Sequence, residues 1–225
     1  MILTPGKWDK YLVFSEDFRN REAIQSRGGV IVACQNVGNG ISPSGVSGRV
    51  TFAGTENVGS NATKMTWVFR VRTGTAPSSL TRLLWKGNPG DYSWSLDIGT
   101  GDKFNTYLGP GFPNFFTCDT VLSPLTEYTL GAAYDGTWGA ATRVVHYVNG
   151  QPTTSTRSGT LPTSILSNAK PLSVYNFYGG AGEGLANGQR LRAIRVFQGT
   201  AWGAQEFLDD YNANAFSKLS VGGGA

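Results

Sequence analysis

The sequence is poor in the residues that build metal sites and covalent cross-links. Its 225 residues include two cysteines, Cys34 and Cys118, and one histidine, His146. The cysteines are far apart in the chain and form no Cys-x-x-Cys pair, so the usual ligands of a zinc site cannot be assembled. We therefore expect two buried, reduced thiols, no metal and no cofactor.

Long apolar runs and an export signal are also missing. No hydrophobic stretch approaches the ~20 residues that a membrane span requires. The segment Met1–Lys10 does not have the charged-then-apolar order of a signal peptide. Hydrophobic residues make up 40% of the chain and charged residues 15%, a composition that suits one large domain with a packed core. We expect neither membrane insertion nor classical secretion.

Basic residues are dispersed along the chain. There are 19 Lys and Arg residues against 15 Asp and Glu residues, giving a formal net charge of +4. Most of them stand alone, and the tightest group is Arg190, Arg192 and Arg195. Nucleic-acid binding normally requires a clustered basic face, so the sequence predicts no nucleic-acid partner.

Alternation of apolar and polar residues with period two is abundant. In the segment Met65–Arg72, for example, every second residue from Met65 is apolar, whereas Thr66, Arg70 and Arg72 fall on the other side, which is typical of a strand with one buried face. The other predicted strands are Tyr11–Phe14, Val30–Ala33, Gly48–Phe52, Leu83–Trp85, Trp94–Ile98, Asn105–Leu108, Tyr128–Tyr134, Val144–Val148, Leu172–Tyr178 and Leu191–Phe197. About ten strands separated by turn residues indicate an all-β antiparallel sandwich or barrel.

Turn and helix signals agree with this fold class. Asp135-Gly136 and Asn149-Gly150 suit turns whose central residues need positive φ. The segment Gln205–Phe216 is predicted as one short C-terminal helix, and Asn20–Ser26 as a shorter one. With no linker or repeat in the chain, residues 1–220 are predicted to form a single domain and residues 221–225 a flexible tail.

Three stretches carry a resemblance to a known family. In the run Glu127–Pro152, one strand ends in Tyr-Asp-Gly and the next in Tyr-Val-Asn-Gly, and this run resembles the paired central strands of concanavalin A-like, laminin-G-like domains. Leu191–Asn212 resembles the terminal strand and short helix of that family, and Val46–Gly54 is similar to its early strand. The resemblance implies two packed antiparallel sheets in a jelly-roll topology and no single activity. The Gly-rich segment Gly179–Gly188 departs from the family pattern.

Motifs for catalysis are absent. Glycan-cleaving enzymes that resemble this family carry Glu-x-Asp on one strand, so that two carboxylates share a face, and no glutamate of this chain starts that motif. There is no Gly-x-Ser-x-Gly elbow for a nucleophile, and His146 lies within a predicted strand as a core or sheet-surface residue. Asp and Asn oxygens are available, but no spacing among them specifies a calcium loop. We therefore expect the protein not to be an enzyme, with a glycan hydrolase that uses unrecognised carboxylates as an alternative.

Aromatic residues in polar loops indicate a binding function. Sugar rings present apolar faces that stack on aromatic side chains, while neighbouring amides and carboxylates bind the hydroxyls. Three loops have this composition, and they supply the candidate carbohydrate-binding residues Trp138, Tyr92, Asp91, Asp135, Phe112 and Asn114. Trp138 leads because it lies in a Gly-flanked turn. The alternative is that these aromatic residues cap the end of the sandwich.

The expected biological setting of the protein, a virion, follows from two opposing observations. Domains of the resembled family mostly work outside cells, whereas this chain shows no export signal and few cysteines. A phage virion component, such as a capsid decoration or a tail adhesin, reconciles the two. We expect a glycan-binding homo-oligomer, because several copies multiply weak single contacts. A purely structural virion protein whose loops contact other subunits, and a cytoplasmic lectin-like monomer, are the alternatives.

Overall fold

The protein is represented by a computed structural model. It describes residues 9–18, 24–25, 29–32, 34–36, 40–44, 48–75, 81–88, 91–99, 101–109, 114–176 and 188–219. Within these residues the chain forms two antiparallel sheets of eight strands each, named sheet A and sheet B, together with a 3₁₀ turn, Asp9–Tyr11, and a C-terminal helix, α1, Ala204–Leu219.

Sheet A has the strand order β13-β12-β11-β6-β16-β4-β3. Strand β1 also pairs with β16, along the part of the β16 edge that β4 leaves open. The strands of sheet A are β1 Leu12–Asp17, β3 Cys34–Asn36, β4 Ile41–Pro43, β6 Lys64–Arg72, β11 Glu127–Asp135, β12 Val144–Val148, β13 Gln151–Thr153 and β16 Arg190–Gln198.

Sheet B has the strand order β14-β10-β9-β8-β7-β15-β5-β2. Its strands are β2 Gly29–Val32, β5 Arg49–Phe52, β7 Thr81–Asn88, β8 Asp91–Gly99, β9 Lys103–Leu108, β10 Phe115–Val121, β14 Ser155–Ser158 and β15 Leu172–Tyr175. The sequence-based prediction of an all-β, two-sheet antiparallel sandwich with one short C-terminal helix is thus confirmed.

The core lies between the inner faces of the two sheets. Trp67 of β6 and Trp94 of β8 are fully buried and meet with ring centroids 5.4 Å apart. Phe69 and Phe104 make a second contact across the core at 6.0 Å. These residues are the apolar members of alternating strands, since period two places every second side chain on the inner face.

Helix α1 covers part of the outer face of sheet A. It begins where the Glu206 carboxylate accepts a hydrogen bond from the Gly203 amide, 3.0 Å away, as in a capping box. Its Phe207 ring stacks on Tyr147 of β12, with centroids 3.9 Å apart, and lies directly over Gly131 of β11. The helix therefore docks through an aromatic contact that only a residue without a side chain at position 131 leaves room for.

Five strands of the structure were not predicted from the sequence. Strand β10 is one of them, because only Phe116 and Cys118 give it a buried pattern. Strands β3, β4, β13 and β14 have three or four residues each, too short for a periodic signal. Most of Asn20–Ser26 and of Gly179–Gly188, and the tail 221–225, fall outside the described residues.

The two cysteines are buried and unbridged, as expected. Among the described residues, no helix has both the length and the apolar character needed to cross a membrane.

His146 links the two sheets inside the core. Its Nε2 is 2.9 Å from Thr106 Oγ1 of β9 and its Nδ1 is 2.8 Å from Ser155 Oγ of β14, so both ring nitrogens have partners in sheet B. Burial lowers the pKa of His146 to about 3, an effect that the negative charge of Asp119 only partly opposes. The imidazole is therefore neutral in the folded protein at all but strongly acidic pH.

We predict that acid destabilises the protein through His146 before its carboxylates titrate. Below pH 6.5 the unfolded chain binds a proton at His146 and the folded chain does not, so the free energy of unfolding falls as pH falls. Between pH 6.5 and 5 the loss should be about 2 kcal/mol, measured by urea denaturation. His146 is the sole histidine of the chain, so a His146→Gln variant should lose this dependence. An unchanged slope in the variant would show that another group is responsible.

We also predict that Gly131→Ala weakens the docking of α1. A Cβ at position 131 would lie 2.2 Å from Phe207 Cε1, and Phe207 cannot retreat without losing its stacking on Tyr147. The free energy of unfolding should fall by ~1–3 kcal/mol. Gly139→Ala is the matched control, because its Cβ would meet only Thr142 Oγ1, at 3.6 Å. Equal stability of the two variants in urea titrations would contradict the prediction.

Candidate functional site

The loops that carry the predicted site lie at one end of the sandwich, here called the loop end. The segment 159–165 joins them. The Thr160 amide donates to Asn114 Oδ1 over 3.1 Å, and Pro162 O accepts from the Tyr134 hydroxyl at the end of β11 over 3.0 Å. The Gly109 amide donates to Ser93 O, 2.8 Å away, which brings the end of β9 beside the start of β8. The structure therefore brings the three loops together.

Two of the predicted site residues, Asp135 and Asn114, already have hydrogen-bond or ion-pair partners within the protein. Asp135 is buried, its Oδ1 accepts from the Thr137 amide and hydroxyl at 2.9 and 2.6 Å, and its Oδ2 pairs with Lys64 Nζ at 2.8 Å. Burial raises the pKa of Asp135, but the hydrogen bonds from Lys64 and Thr137 outweigh it, and the net pKa is lowered. Asn114 Oδ1 holds the Thr160 amide. Both side chains therefore stabilise turns.

The other four candidate binding residues are Trp138, Asp91, Tyr92 and Phe112. Trp138 is half-buried, and its ring packs against the aromatic cluster of Trp202 and Phe207 beside α1. Asp91 and Tyr92 were expected in a loop. This expectation is wrong, because the β7–β8 pairing extends to the pair Asn88 and Asp91. Phe112 falls outside the described residues. Trp138 therefore packs on the outer face of sheet A beside α1, and the rest of its surface is exposed.

The buried side chain of Lys86 holds neighbouring turns together by hydrogen bonds. Its buried Nζ donates to the carbonyl oxygens of Thr55, at 2.9 Å, of Glu56 and of Lys170. Burial lowers the pKa of Lys86 to about 8, and the charge of Glu56 partly offsets this effect. The ammonium group therefore ties two turns to strand β7 and is not available to a ligand.

A second candidate surface lies on the outer face of sheet B. The register aligns one residue from each of four neighbouring strands, in the order Phe115, Tyr107, Ser95 and Trp85. The rings of Phe115 and Tyr107 lie 5.1 Å apart with a 35° tilt. Trp85 and Tyr107 are buried, at 3% and 7% exposure, whereas Phe115 is half-buried. We call Trp85, Tyr107 and Phe115 the aromatic row, which opens towards β10.

A buried ion pair adjoins the aromatic row. Arg82 Nη1 is 2.7 Å from Asp97 Oδ2, and the guanidinium also stacks over the Trp85 ring at 4.3 Å. Asn105 Nδ2 donates to the other carboxylate oxygen of Asp97 at 2.9 Å. Charge and aromatic surface therefore meet on a single face, as they do in binding sites for polar ligands with apolar faces.

Several buried polar atoms beside the row have no hydrogen-bond partner. They are Ser95 Oγ, Ser93 Oγ and Asn105 Oδ1. Ser95 is fully buried and lies directly between Trp85 and Tyr107 in the register. Leaving such a group unpaired costs free energy, and because these atoms are buried they lie beneath the surface that a ligand would touch.

The sequence analysis missed this surface for a definite reason. Trp85, Ser95 and Tyr107 lie in three different strands, and nothing in their spacing shows that the strands are neighbours in register. One signal was available, since Ser95 and Asp97 are the polar members of an alternating strand whose other residues are apolar. An outer face with serine and aspartate at consecutive outward positions is a candidate site once the strand order is known.

Metal ligands do not converge in the part of the chain that the structure describes, since no three His, Cys, Asp or Glu side chains there could hold an ion. Among the calcium-ligand candidates, Asp97 and Asn105 bind each other, and Asp135 pairs with Lys64.

Comparison of the chain with known proteins identifies its fold but assigns it to no family. No protein-family model matches the chain, and no curated protein matches its sequence. Solved structures do match. A Trypanosoma rangeli sialidase in complex with sialic acid has a TM-score of 0.57 and 13% identity, over 81% of this chain and 29% of the sialidase. Botulinum neurotoxin type C, described as dependent on interaction with two ganglioside molecules to reach the cell interior, has a TM-score of 0.64 and 9% identity, over 92% of this chain and 52% of that one.

These matches show a β-sandwich fold. The narrower resemblance to concanavalin A-like, laminin-G-like domains stays a prediction. The expectation that the protein is not an enzyme is contradicted, because the neighbours include sialidases, which are glycan hydrolases. The chain spans less than a third of the sialidase length and about half of the neurotoxin chain, and at this low identity the likeness concerns the fold alone.

We predict that the Arg82–Asp97 pair is essential for stability. Asp97→Asn keeps the shape of the side chain but leaves the Arg82 charge buried without its carboxylate, which should lower the free energy of unfolding by ~3–5 kcal/mol. Asp119→Asn is the control, since Asp119 is exposed and bonded to Thr156 Oγ1 at 3.0 Å, and it should change stability little. Similar urea midpoints for the two variants would show that the pair is dispensable.

Proposed function

We propose that the protein binds glycans on the outer face of sheet B, at the open side of the aromatic row. The observation that carries this proposal is the half-buried ring of Phe115 at the open end of the row, 5.1 Å from the ring of Tyr107 and tilted by 35° to it. A sugar ring would stack on the exposed part of Phe115.

The comparisons support the ligand class. The two neighbours are described with sialic acid and with gangliosides, which are sialylated glycolipids. Phe115 is the half-buried end of the row, so the ligand would contact it first. The loop end, with Trp138, remains the site that the sequence analysis favoured.

Glycan binding can be tested at Phe115, the half-buried end of the row. We predict that Phe115→Ala lowers affinity about tenfold for a sugar that the parent protein binds on a glycan array. Ser95→Ala is a control beneath the same surface: its hydroxyl is buried and has no partner in the protein, so stability and affinity should both be retained. Affinity is measured by titration calorimetry.

Two control variants make the test specific. Ser60→Ala removes another unpartnered buried hydroxyl, on the turn before β6, and should leave affinity unchanged. Trp138→Ala tests the loop end. Loss of binding in Trp138→Ala with full binding in Phe115→Ala would reject the sheet B site in favour of the loop end, and an array without signal would reject glycan binding.

Glycan hydrolysis is the second candidate function. It is favoured by the sialidase neighbours and by the presence of a carboxylate, Asp97, on the proposed binding face. Incubation of the parent protein with the sugars it binds, followed by chromatography of the products, decides between binding alone and turnover. Intact sugars after prolonged incubation would reject hydrolysis.

The virion setting and homo-oligomeric state are finer proposals. They are supported by the weakness expected of a single stacking site, which several linked copies would convert into useful avidity. Sedimentation velocity tests the oligomer, and co-purification with particles tests the virion role. A monomer at high concentration that is absent from particles would reject both.

A further inference from the structure

Five arginines share the outer face of sheet A, and we call them the arginine cluster. Arg70 and Arg72 lie on β6, and Arg190, Arg192 and Arg195 lie on the neighbouring strand β16. A β-bulge in β16 sets Arg192 and Ala193 against Arg70 alone. Strict alternation from Arg190 would turn Arg195 inwards, and the extra residue restores it to the outer face. The bulge therefore gathers the three arginines of β16 on one surface.

Carboxylates neutralise part of this cluster. Glu127 of β11 pairs with Arg192 at 2.6 Å, and Asp210 of α1 pairs with Arg195 and lies 3.9 Å from Arg70. Among the described residues, no carboxylate is paired with Arg190 or Arg72, and the latter donates only to Gly188 O, at 3.3 Å. Asp17 lies on β1, on the far side of β16. The cluster thus keeps an excess of positive charge around Arg72 and Arg190.

Arg190 and Arg72 face each other directly in the β16–β6 register, with their Cα atoms at the ~5 Å spacing of paired residues. Both side chains are partly exposed. Guanidinium groups on neighbouring strands can together donate to the oxygen atoms of one anionic group.

We propose that the arginine cluster binds the acidic group of a glycan, a carboxylate or a sulfate, through Arg72, Arg190 and Arg192. The inference goes beyond the proposed function, because the arginine cluster lies on the outer face of sheet A and the aromatic row on the outer face of sheet B, so the two are separate sites. The size of the cluster favours one such group over a nucleic acid, because duplex recognition takes about 6–10 phosphate contacts along an extended track, and the cluster spans two adjacent strands.

The test compares three probes, 3′-sialyllactose, lactose 3′-sulfate and lactose, by calorimetry at low and high salt. The two acidic probes should bind about tenfold more tightly than lactose at low salt, and the difference should shrink as salt rises. Arg190→Gln should remove most of the difference while leaving the affinity for lactose unchanged. The relative strengths of the two acidic probes tell whether the carboxylate or the sulfate is preferred.

Two further variants separate binding from a structural role. Glu127→Gln removes the carboxylate that competes for Arg192 and should strengthen the binding of the acidic probes several-fold, an effect that a merely structural ion pair would not produce. Arg157→Gln, at an exposed position on β14, is the charge-matched control and should have no effect.

The outcomes distinguish this inference from the proposed function. If lactose binds in a Phe115-dependent manner and the acidic group adds nothing, the arginine cluster is not the site and the sheet B proposal stands. Arg190-dependent binding of the acidic probes that survives Phe115→Ala supports the cluster as a separate site, and the sheet B proposal is then judged by the binding of lactose. Absence of binding by every probe, or tighter binding of a duplex DNA oligonucleotide, overturns the inference.

Discussion

Close packing of the two sheets is the constraint on which the rest of the structure depends. An antiparallel sheet with one apolar face is stable only when that face is covered, and here the fully buried Trp67 and Trp94 meet across the interface. His146 reinforces the same contact by bonding to two strands of the opposite sheet. Because every inward position serves the core, recognition is left to the outer faces and the loops.

The two outer faces differ in chemistry. On sheet A, α1 covers the part of the outer face where Phe207 packs over Gly131 of β11, and the arginine cluster lies on the neighbouring strands β6 and β16. On sheet B, aromatic rings and unpartnered hydroxyl and amide oxygens lie around the Arg82–Asp97 pair. One face suits charge and the other suits sugar rings, so a ligand that carries both properties could be recognised from either side of the sandwich.

The loop end shows why a list of suitable residue types is a weak guide to a site. Asp135 and Asn114 have the functional groups that bind hydroxyls, yet Asp135 is engaged by the Thr137 amide of its own turn and by Lys64, and Asn114 by the Thr160 amide of another segment. Polar side chains in tight turns are the natural partners of the turn's own amides. The same residue types therefore indicate a turn at least as often as a binding site, and burial and partners decide between the two.

The sequence by itself determined the strand-rich architecture, the C-terminal helix and the buried thiols, because alternation, turn dipeptides and helical periodicity are local signals. The strands that could not be predicted were missed for a local reason too, since segments of three or four residues such as β3 and β13 are too short to show a periodic pattern. Only the tertiary structure decided which strands are neighbours, and therefore that Trp85, Ser95 and Tyr107 form one row. It also decided that a bulge turns Arg195 outwards. Strand order and register depend on contacts between distant segments, and no property of a single segment encodes them.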